Sequence, residues 1–250
     1  MPDQTIEQLA RAYVAAYKDP AALVPSASLA ALTATEAMAV QAAVLRQLGE
    51  TAAVAKVAAP AGGIALAAPI IDSWVTNSGG TLPLHGRNLL GFEIEVAAVL
   101  KSDITPEIAR QGKPAVQRAI DHYIVGIELI GSRIDHHTQA GPFGPLSDFM
   151  LTAGYVTGSQ PIPSLPDVEG LPIVLETPAG ISRLGPARHP FGGVLDPILA
   201  YASAPFDQFG GLRAGMIVTT GSLCVLIEGP SSGWLQLRLG DFDPVSVTLT

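Results

Sequence analysis

The run GFEIEVAAVL, residues 91–100, is apolar enough to be a buried strand, yet it carries Glu93 and Glu95 two residues apart. A strand turns alternate side chains to the same face, so both carboxylates leave one side of it. Burying an unpaired carboxylate costs several kcal/mol, roughly the whole stability margin of a domain. A second apolar run, HYIVGIELIGSRI, repeats the pattern with Glu128 at its centre. Three such groups can be compensated in two ways. Either they pair with buried Lys or Arg, or they converge on a divalent cation, whose preference for hard oxygen ligands suits Mg²⁺ or Mn²⁺ and leaves water positions open for substrate. The chain has 14 Lys and Arg against 22 Asp and Glu, which tilts the balance toward a metal without deciding it.

The elements that must position these residues are legible in outline. MPDQTIEQLARAYVAAYK reads as an amphipathic helix with Ile6, Leu9, Ala10, Tyr13 and Tyr17 on one side. A second helix begins at TATEAMAVQAAVLRQLG, where Thr33 and Glu36 have capping-box spacing and Gly49 closes it. From about residue 54 the texture changes to short β-like runs broken by Gly and Pro: 53–58, 91–100, 123–130, 154–157, 172–176, 216–219, 223–228, and a closing pair GWLQLRL and PVSVTLT. Helical interludes fall around 105–122 and 193–203. Strands and helices do not alternate regularly, which argues against a doubly wound parallel sheet or a barrel of eight βα units. The pattern is α+β, read as one domain over 1–250 with a helical section at 1–50 and a β section at 51–250. SQPIPSLPDVEGLP is a loop within it.

Composition bounds the partners. With 48% hydrophobic and 14% charged residues the chain is a folded globular protein, and so few charges imply further burial between subunits, hence a homo-oligomer. The net charge of −8 and the lack of a dense basic run argue against nucleic acid and against acidic membrane surfaces. The longest uncharged apolar stretch, 57–71, is interrupted by Pro and Gly and is shorter than the ~20 residues of a membrane span. Cys224 is the only cysteine, so an intrachain disulfide or a cysteine-based zinc cluster is excluded; a cytoplasmic location is expected.

Taken in order, Glu-x-Glu in FEIEVAAVL, the lone Glu in GIELIGSRI and TTGSL before a late strand resemble the fumarylacetoacetate hydrolase superfamily, and within it the 2-keto-4-pentenoate hydratase and 4-oxalocrotonate decarboxylase branch. EAMAVQ, AKVAAP and RHPFGGVLDPILAYA extend the likeness over nearly the whole chain. The resemblance implies a mixed-sheet β-roll around one Mg²⁺ or Mn²⁺ bound by Glu93, Glu95 and Glu128, and a short 2-oxo or 2-hydroxydienoic acid as substrate. It makes Lys56 the strand lysine that polarises the 2-oxo group or exchanges a proton, with a pKa pushed down by burial near a metal; an ion pair to one of the glutamates is the alternative.

The chain departs from that branch in three places. APIIDSWV lacks the acid at the expected position and offers Asp72 two residues on. SDFML keeps Asp148 but has Phe149 and Leu151 at an amide and a hydroxyl position, and AKVAAP lacks the glycine after the lysine. His136 and His137, in the added DHH, are acid–base candidates or solvated loop residues. The following TQAGPFGPLSDF is rich enough in Gly and Pro to form a lid. Arg133 is a candidate for the substrate carboxylate or an anchor for a neighbouring acid. Thr220 and Gly221 can present backbone N–H groups to an anion or simply bend a strand, and His189 caps a helix start.

The expected function is a metal-dependent hydratase. A decarboxylase, a C–C hydrolase of an acylpyruvate, and a 2-oxo acid binding protein without turnover are the alternatives.

Overall fold

The computed structural model describes residues 3–59, 63–84, 88–203 and 211–250. Two helices come first, α1 (Asp3–Lys18) and α2 (Ala34–Leu48), followed by strands β1 (Val54–Ala58), β2 (Leu66–Ile70), β3 (Val75–Asn77), β4 (Gly80–Leu82) and β5 (Leu89–Leu100). Short helices α3 (Pro106–Ala109) and α4 (Lys113–Ala119) lead into β6 (Ile120–Gly131), then α5 (Gly144–Ser147), β7 (Thr152–Thr157), β8 (Ile173–Thr177) and β9 (Gly180–Leu184). The chain closes with α6 (Leu195–Ala202), β10 (Ile217–Thr219), β11 (Gly233–Leu239) and β12 (Val245–Leu249). This is a mixed α+β fold built on two sheets.

Both halves of the capping box at Thr33 and Glu36 form, and Gly49 ends α2 in the left-handed region at φ 70°. The apolar stripe of α1, including Leu9, Ala10 and Tyr13, packs with Val40, Ala43 and Val44 of α2 and with Trp74, Ile134 and Phe149 into a small core of its own. Among the described residues no helix is long and apolar enough to cross a membrane.

The larger sheet has the order β2-β1-β10-β5-β6-β7-β3, and the smaller one β4-β12-β11-β8-β9. Pro69 is tolerated in β2 because that strand is an edge, where its missing N–H breaks no ladder. The backbone of the large sheet is the antiparallel pair β5 and β6, two 12-residue strands. Their side chains divide by the two-residue alternation. Ile94, Val96, Ile127 and Leu129 join Leu235, Leu237 and Val247 of the small sheet in the main core. The opposite face carries a smaller apolar cluster, Val54, Ile70, Ala97, Ile124 and Tyr155, and all three glutamates of the two long strands.

Two expectations are corrected. The stretch 223–228 is not a regular strand: it makes one isolated bridge, Phe92 with Ile227. The 138–149 segment is not a free lid. Ala140, Leu146 and Ser147 are buried, Tyr13 Oη and Ser147 Oγ lie 2.8 Å apart, and Gln41 donates to the Leu146 carbonyl. These contacts tie the segment to α1 and α2.

Candidate metal centre

Register brings the carboxylates together. Glu93 stands directly opposite Glu128 in the β5–β6 ladder, and Glu95, paired with Gly126, is the next residue on the same face. One carboxylate oxygen from each of Glu93, Glu95 and Glu128 lies within 4.8 Å of the other two. Gly126 is required by what lies above it, since a Cβ there would sit 2.1 Å from Tyr155 Oη.

Each buried carboxylate is aimed by one of its oxygens. Glu128 Oε1 accepts from Lys56 Nζ at 2.8 Å and from Thr152 Oγ1 at 2.6 Å. Glu95 Oε2 accepts from Thr219 Oγ1, and the Gly221 N–H also favours its charged form. Thr219 is the parallel cross-strand neighbour of Lys56, so both act from one row of the sheet. The other oxygens, Glu95 Oε1 and Glu128 Oε2, are buried with no hydrogen-bond partner among the described residues. A native fold rarely leaves such atoms unpaired. A hard cation satisfies both at once, and an all-carboxylate donor set on rigid strands fits Mg²⁺.

The electrostatics of the metal-free triad agree. Burial pushes Glu93 up to about 7; Lys56 opposes the shift and Glu128 adds to it. Glu95 is raised well above the ordinary carboxylate range by burial, then by Glu128 and Glu93. Burial acts to depress Lys56, but Glu128, Glu93 and Glu95 outweigh it, so its pKa rises. Beside the three carboxylates of the metal-free triad this lysine is an ammonium; the downward shift expected beside a metal belongs to the loaded site.

Lys56 also donates to the Met150 carbonyl at 3.3 Å. That carbonyl belongs to an unusual turn in which Phe149, Met150 and Leu151 have φ of 52°, 52° and 63°. Left-handed backbone costs a non-glycine residue on the order of 1–2 kcal/mol. Three in succession persist because the Phe149 ring is locked between Tyr17 and Trp74, and because Leu151 N–H closes on the Asp148 carbonyl at 2.8 Å.

A cavity of about 290 Å³ opens on Lys56 and Glu93. Val57, Ala58, Met150, Pro190 and Phe191 give it apolar walls, and Gly221, Ser222 and Cys224 complete it. Gly221 has φ 113°, and a Cβ there would lie 2.9 Å from the Phe191 ring.

No protein-family model and no curated protein matches the sequence. The structure does find matches. It superposes over 100% of its length on 99% of 4-oxalocrotonate decarboxylase from Pseudomonas putida G7, with TM-score 0.82 and 18% identity, in a complex with magnesium and adipate. It also matches 2-hydroxyhepta-2,4-diene-1,7-dioate isomerase from Mycobacterium marinum (TM-score 0.54, 15% identity, 79% of this chain and 73% of that one). A fumarylacetoacetate hydrolase family protein from Yersinia pestis CO92 aligns at TM-score 0.55 and 17% identity over 79% of this chain and 92% of that one. The chain has the fumarylacetoacetate hydrolase fold.

Within this fold the remaining candidates divide. Arg133 and Asp148 do not line the cavity. Both are fully buried and bound to each other: Arg133 Nε donates to Asp148 Oδ1 at 2.7 Å, and the Arg133 backbone N–H donates to Oδ2 at 2.9 Å. The guanidinium also lies 5.2 Å from the Tyr17 ring centroid and 5.7 Å from that of Trp74. This is the anchoring role rather than the substrate role. Asp72 accepts from Thr51 Oγ1 at 2.6 Å and from Ala53 N–H at 2.7 Å, which holds the entry to β1 and keeps it off the cavity wall. His136 is exposed on the loop after β6, its backbone N–H bonded to Asp135. Thr220 donates to the Val96 carbonyl at 2.8 Å, and His189 Nε2 lies 3.3 Å from its hydroxyl, so Thr220 braces the strand beside Glu95. Sequence reasoning missed Thr152, Thr219 and the Met150 carbonyl. The two-residue alternation pointed to Thr219, which shares a face with Lys56; nothing local marked the other two.

Proposed function

We propose that this chain is a metal-dependent lyase acting on a 2-oxo acid, with Mg²⁺ held by Glu93, Glu95 and Glu128. The observation that carries the reading is the pair of buried carboxylate oxygens, Glu95 Oε1 and Glu128 Oε2, without hydrogen-bond partners among the described residues and beside Glu93, which lines the cavity. When bound, the ion supplies Lewis-acid polarisation of a 2-oxo group.

The chain's own residues supply the rest. Thr152, Thr219 and Lys56 fix the orientation of the carboxylates before substrate arrives. The Lys56 ammonium borders the cavity, where it stabilises negative charge growing on the substrate oxygen and returns a proton to carbon. Val57, Ala58, Met150, Pro190 and Phe191 give the reacting end apolar walls.

The side chains present on the cavity wall favour loss of CO₂ over addition of water. Hydration needs a side chain that positions and deprotonates water, and Asp72, His136 and His137, the acid–base candidates besides Lys56, are not among the cavity's lining residues. In decarboxylation the bond to a second carboxylate, β or vinylogous to the 2-oxo group, breaks and CO₂ leaves; its electron pair ends on the 2-oxygen, and the resulting enolate takes a proton at carbon. Full-length similarity to a decarboxylase solved with magnesium and a dicarboxylate supports this choice. Hydration of a 2-hydroxydienoic acid remains the second reading, on the strength of the AKVAAP and TTGSL motifs.

Incubation with Mg²⁺ and either a 2-oxo-enedioate or a 2-hydroxydienoate, followed by ultraviolet absorbance and product mass, separates the two by loss of CO₂ or gain of water. Binding without conversion of either would overturn the enzymatic reading. The proposal takes the chain as a homo-oligomer, which a monomer mass by light scattering would refute.

A further inference from the structure

A second, larger hollow lies beside the metal-site cavity. It is a groove of about 600 Å³ that shares Pro190, Ser222 and Cys224 with that cavity. Its size falls in the ~300–1,000 Å³ range of small-molecule sites. One wall is the irregular strip 223–227, which is pinned to β5 on both sides of Glu93. Leu223 N–H donates to the Ile94 carbonyl at 2.9 Å, and Phe92 and Ile227 exchange bonds of 2.9 and 2.8 Å. The strip fits so closely that a Cβ on Gly91 would lie 2.7 Å from the Ile227 carbonyl, and one on Gly229 would lie 2.5 Å from the Phe92 ring. The other wall is formed by Leu175, Leu184 and Pro186, and the Arg188 N–H ties it to the Leu223 carbonyl at 2.7 Å. Position and direction are thus set by the strand that carries two of the three carboxylates.

The chemistry of the groove differs from that of the cavity. Its lining is mostly aliphatic, and at its lip Val225 is 85% and Leu226 41% exposed. Arg188 and Glu228 both line it, one charge of each sign, so the groove is not a uniformly basic site for a distant carboxylate.

We propose that this groove receives an apolar substituent of the substrate, so that the 2-oxo acid held at the metal carries a hydrocarbon tail of several carbons beyond its reacting end. The assignment rests on the metal-centre reading above. The occupant is argued from continuity: a molecule with its head beside Glu93 and Lys56 has only Cys224, Ser222 and Pro190 to pass before it meets aliphatic walls.

The test is calorimetric titration of the full chain with Mg²⁺ against oxalate, pyruvate, 2-oxohexanoate, 2-oxooctanoate and 2-oxooctanedioate, each repeated with chelator. Magnesium-dependent affinity should rise along the monocarboxylate series, by up to about fourfold per buried methylene. Leu226→Glu should flatten that rise, and the dioate should bind less tightly than 2-oxooctanoate. A flat series with magnesium-dependent oxalate binding overturns the groove assignment alone, as does tighter binding of the dioate. A flat series in which Leu226→Glu dissociates an oligomer assigns the groove to a second copy of the chain and likewise overturns it. Oxalate binding that ignores magnesium instead overturns the metal-centre reading.

Discussion

Lys56 Nζ lies 2.8 Å from Glu128 Oε1, an ion pair joining the first strand of the large sheet to the strand that bears the third carboxylate. Lys56→Met keeps length and packing but removes the charge. If Lys56 serves the reaction, kcat should fall at least ~10²-fold with magnesium affinity largely kept. A purely structural pair predicts a loss of roughly 3–5 kcal/mol of stability and a folded fraction that turns over at the wild-type rate. Thermal melting and single-turnover rates on the same variant separate the two.

Glu95→Gln replaces a buried carboxylate with a neutral group of the same shape. Metal-dependent turnover should disappear and the far-ultraviolet circular dichroism should be unchanged. Magnesium should raise the melting temperature of the wild type and leave the variant where it was. An equal magnesium-induced rise in both proteins would remove Glu95 from the ligand set.

A raised carboxyl pKa gives the metal-free chain an unusual pH response. Glu93, pushed up to about 7 by burial, contributes stability that is fully present below the ordinary glutamate pKa of about 4.3 and is lost as pH rises through about 7. Without metal, Glu93→Gln should therefore gain on the wild type in melting temperature between about pH 5 and pH 8. Protons and magnesium compete for the same oxygens, so magnesium affinity should rise with pH across that window. A melting-temperature difference that stays constant with pH would show that Glu93 is already ionised at pH 5.

Asp148→Asn breaks the buried pair with Arg133 while keeping the side-chain volume. Unfolding in denaturant should show a loss of roughly 3–5 kcal/mol, since an uncompensated guanidinium is left in the core. KM in the remaining folded fraction should not move. A raised KM at unchanged stability would instead return Arg133 and Asp148 to the substrate.

Much of the framework was legible because its signals are local. Glu93, Glu95 and Glu128 stand out as charges in apolar runs, the box at Thr33 and Glu36 marks a helix start, and the closing pair of strands reads directly from alternation. Of the short strands that were missed, β3 and β4 owe their conformation to distant neighbours, β7 and β12, whereas β2 and β9 pair with the strands just before them, β1 and β8. Residues 223–228 are β-branched and apolar like a strand, yet they close on β5 only at Leu223 and Ile227. The downward shift of Lys56 was expected from burial near a metal; the opposing sum of three carboxylates around one ammonium exists only in three dimensions. Arg133 and Asp148 are 15 residues apart and meet across a loop, so their mutual bond could not be told from two separate substrate contacts.

The left-handed turn at Phe149, Met150 and Leu151 limits how this protein can vary. Glycine enters such backbone freely and asparagine does so readily, whereas Val, Ile and Thr resist it. The Met150 carbonyl that receives Lys56 is positioned by those dihedrals, which the packed Phe149 ring helps to hold and to which the aliphatic Leu151 side chain adds no hydrogen bond. Side-chain chemistry at Leu151 is therefore open to drift while its backbone preference is not: Leu151→Gly and Leu151→Asn should be tolerated, and Leu151→Val, although closer in polarity, should not. A substitution series at the position should therefore sort by backbone preference and not by hydrophobicity.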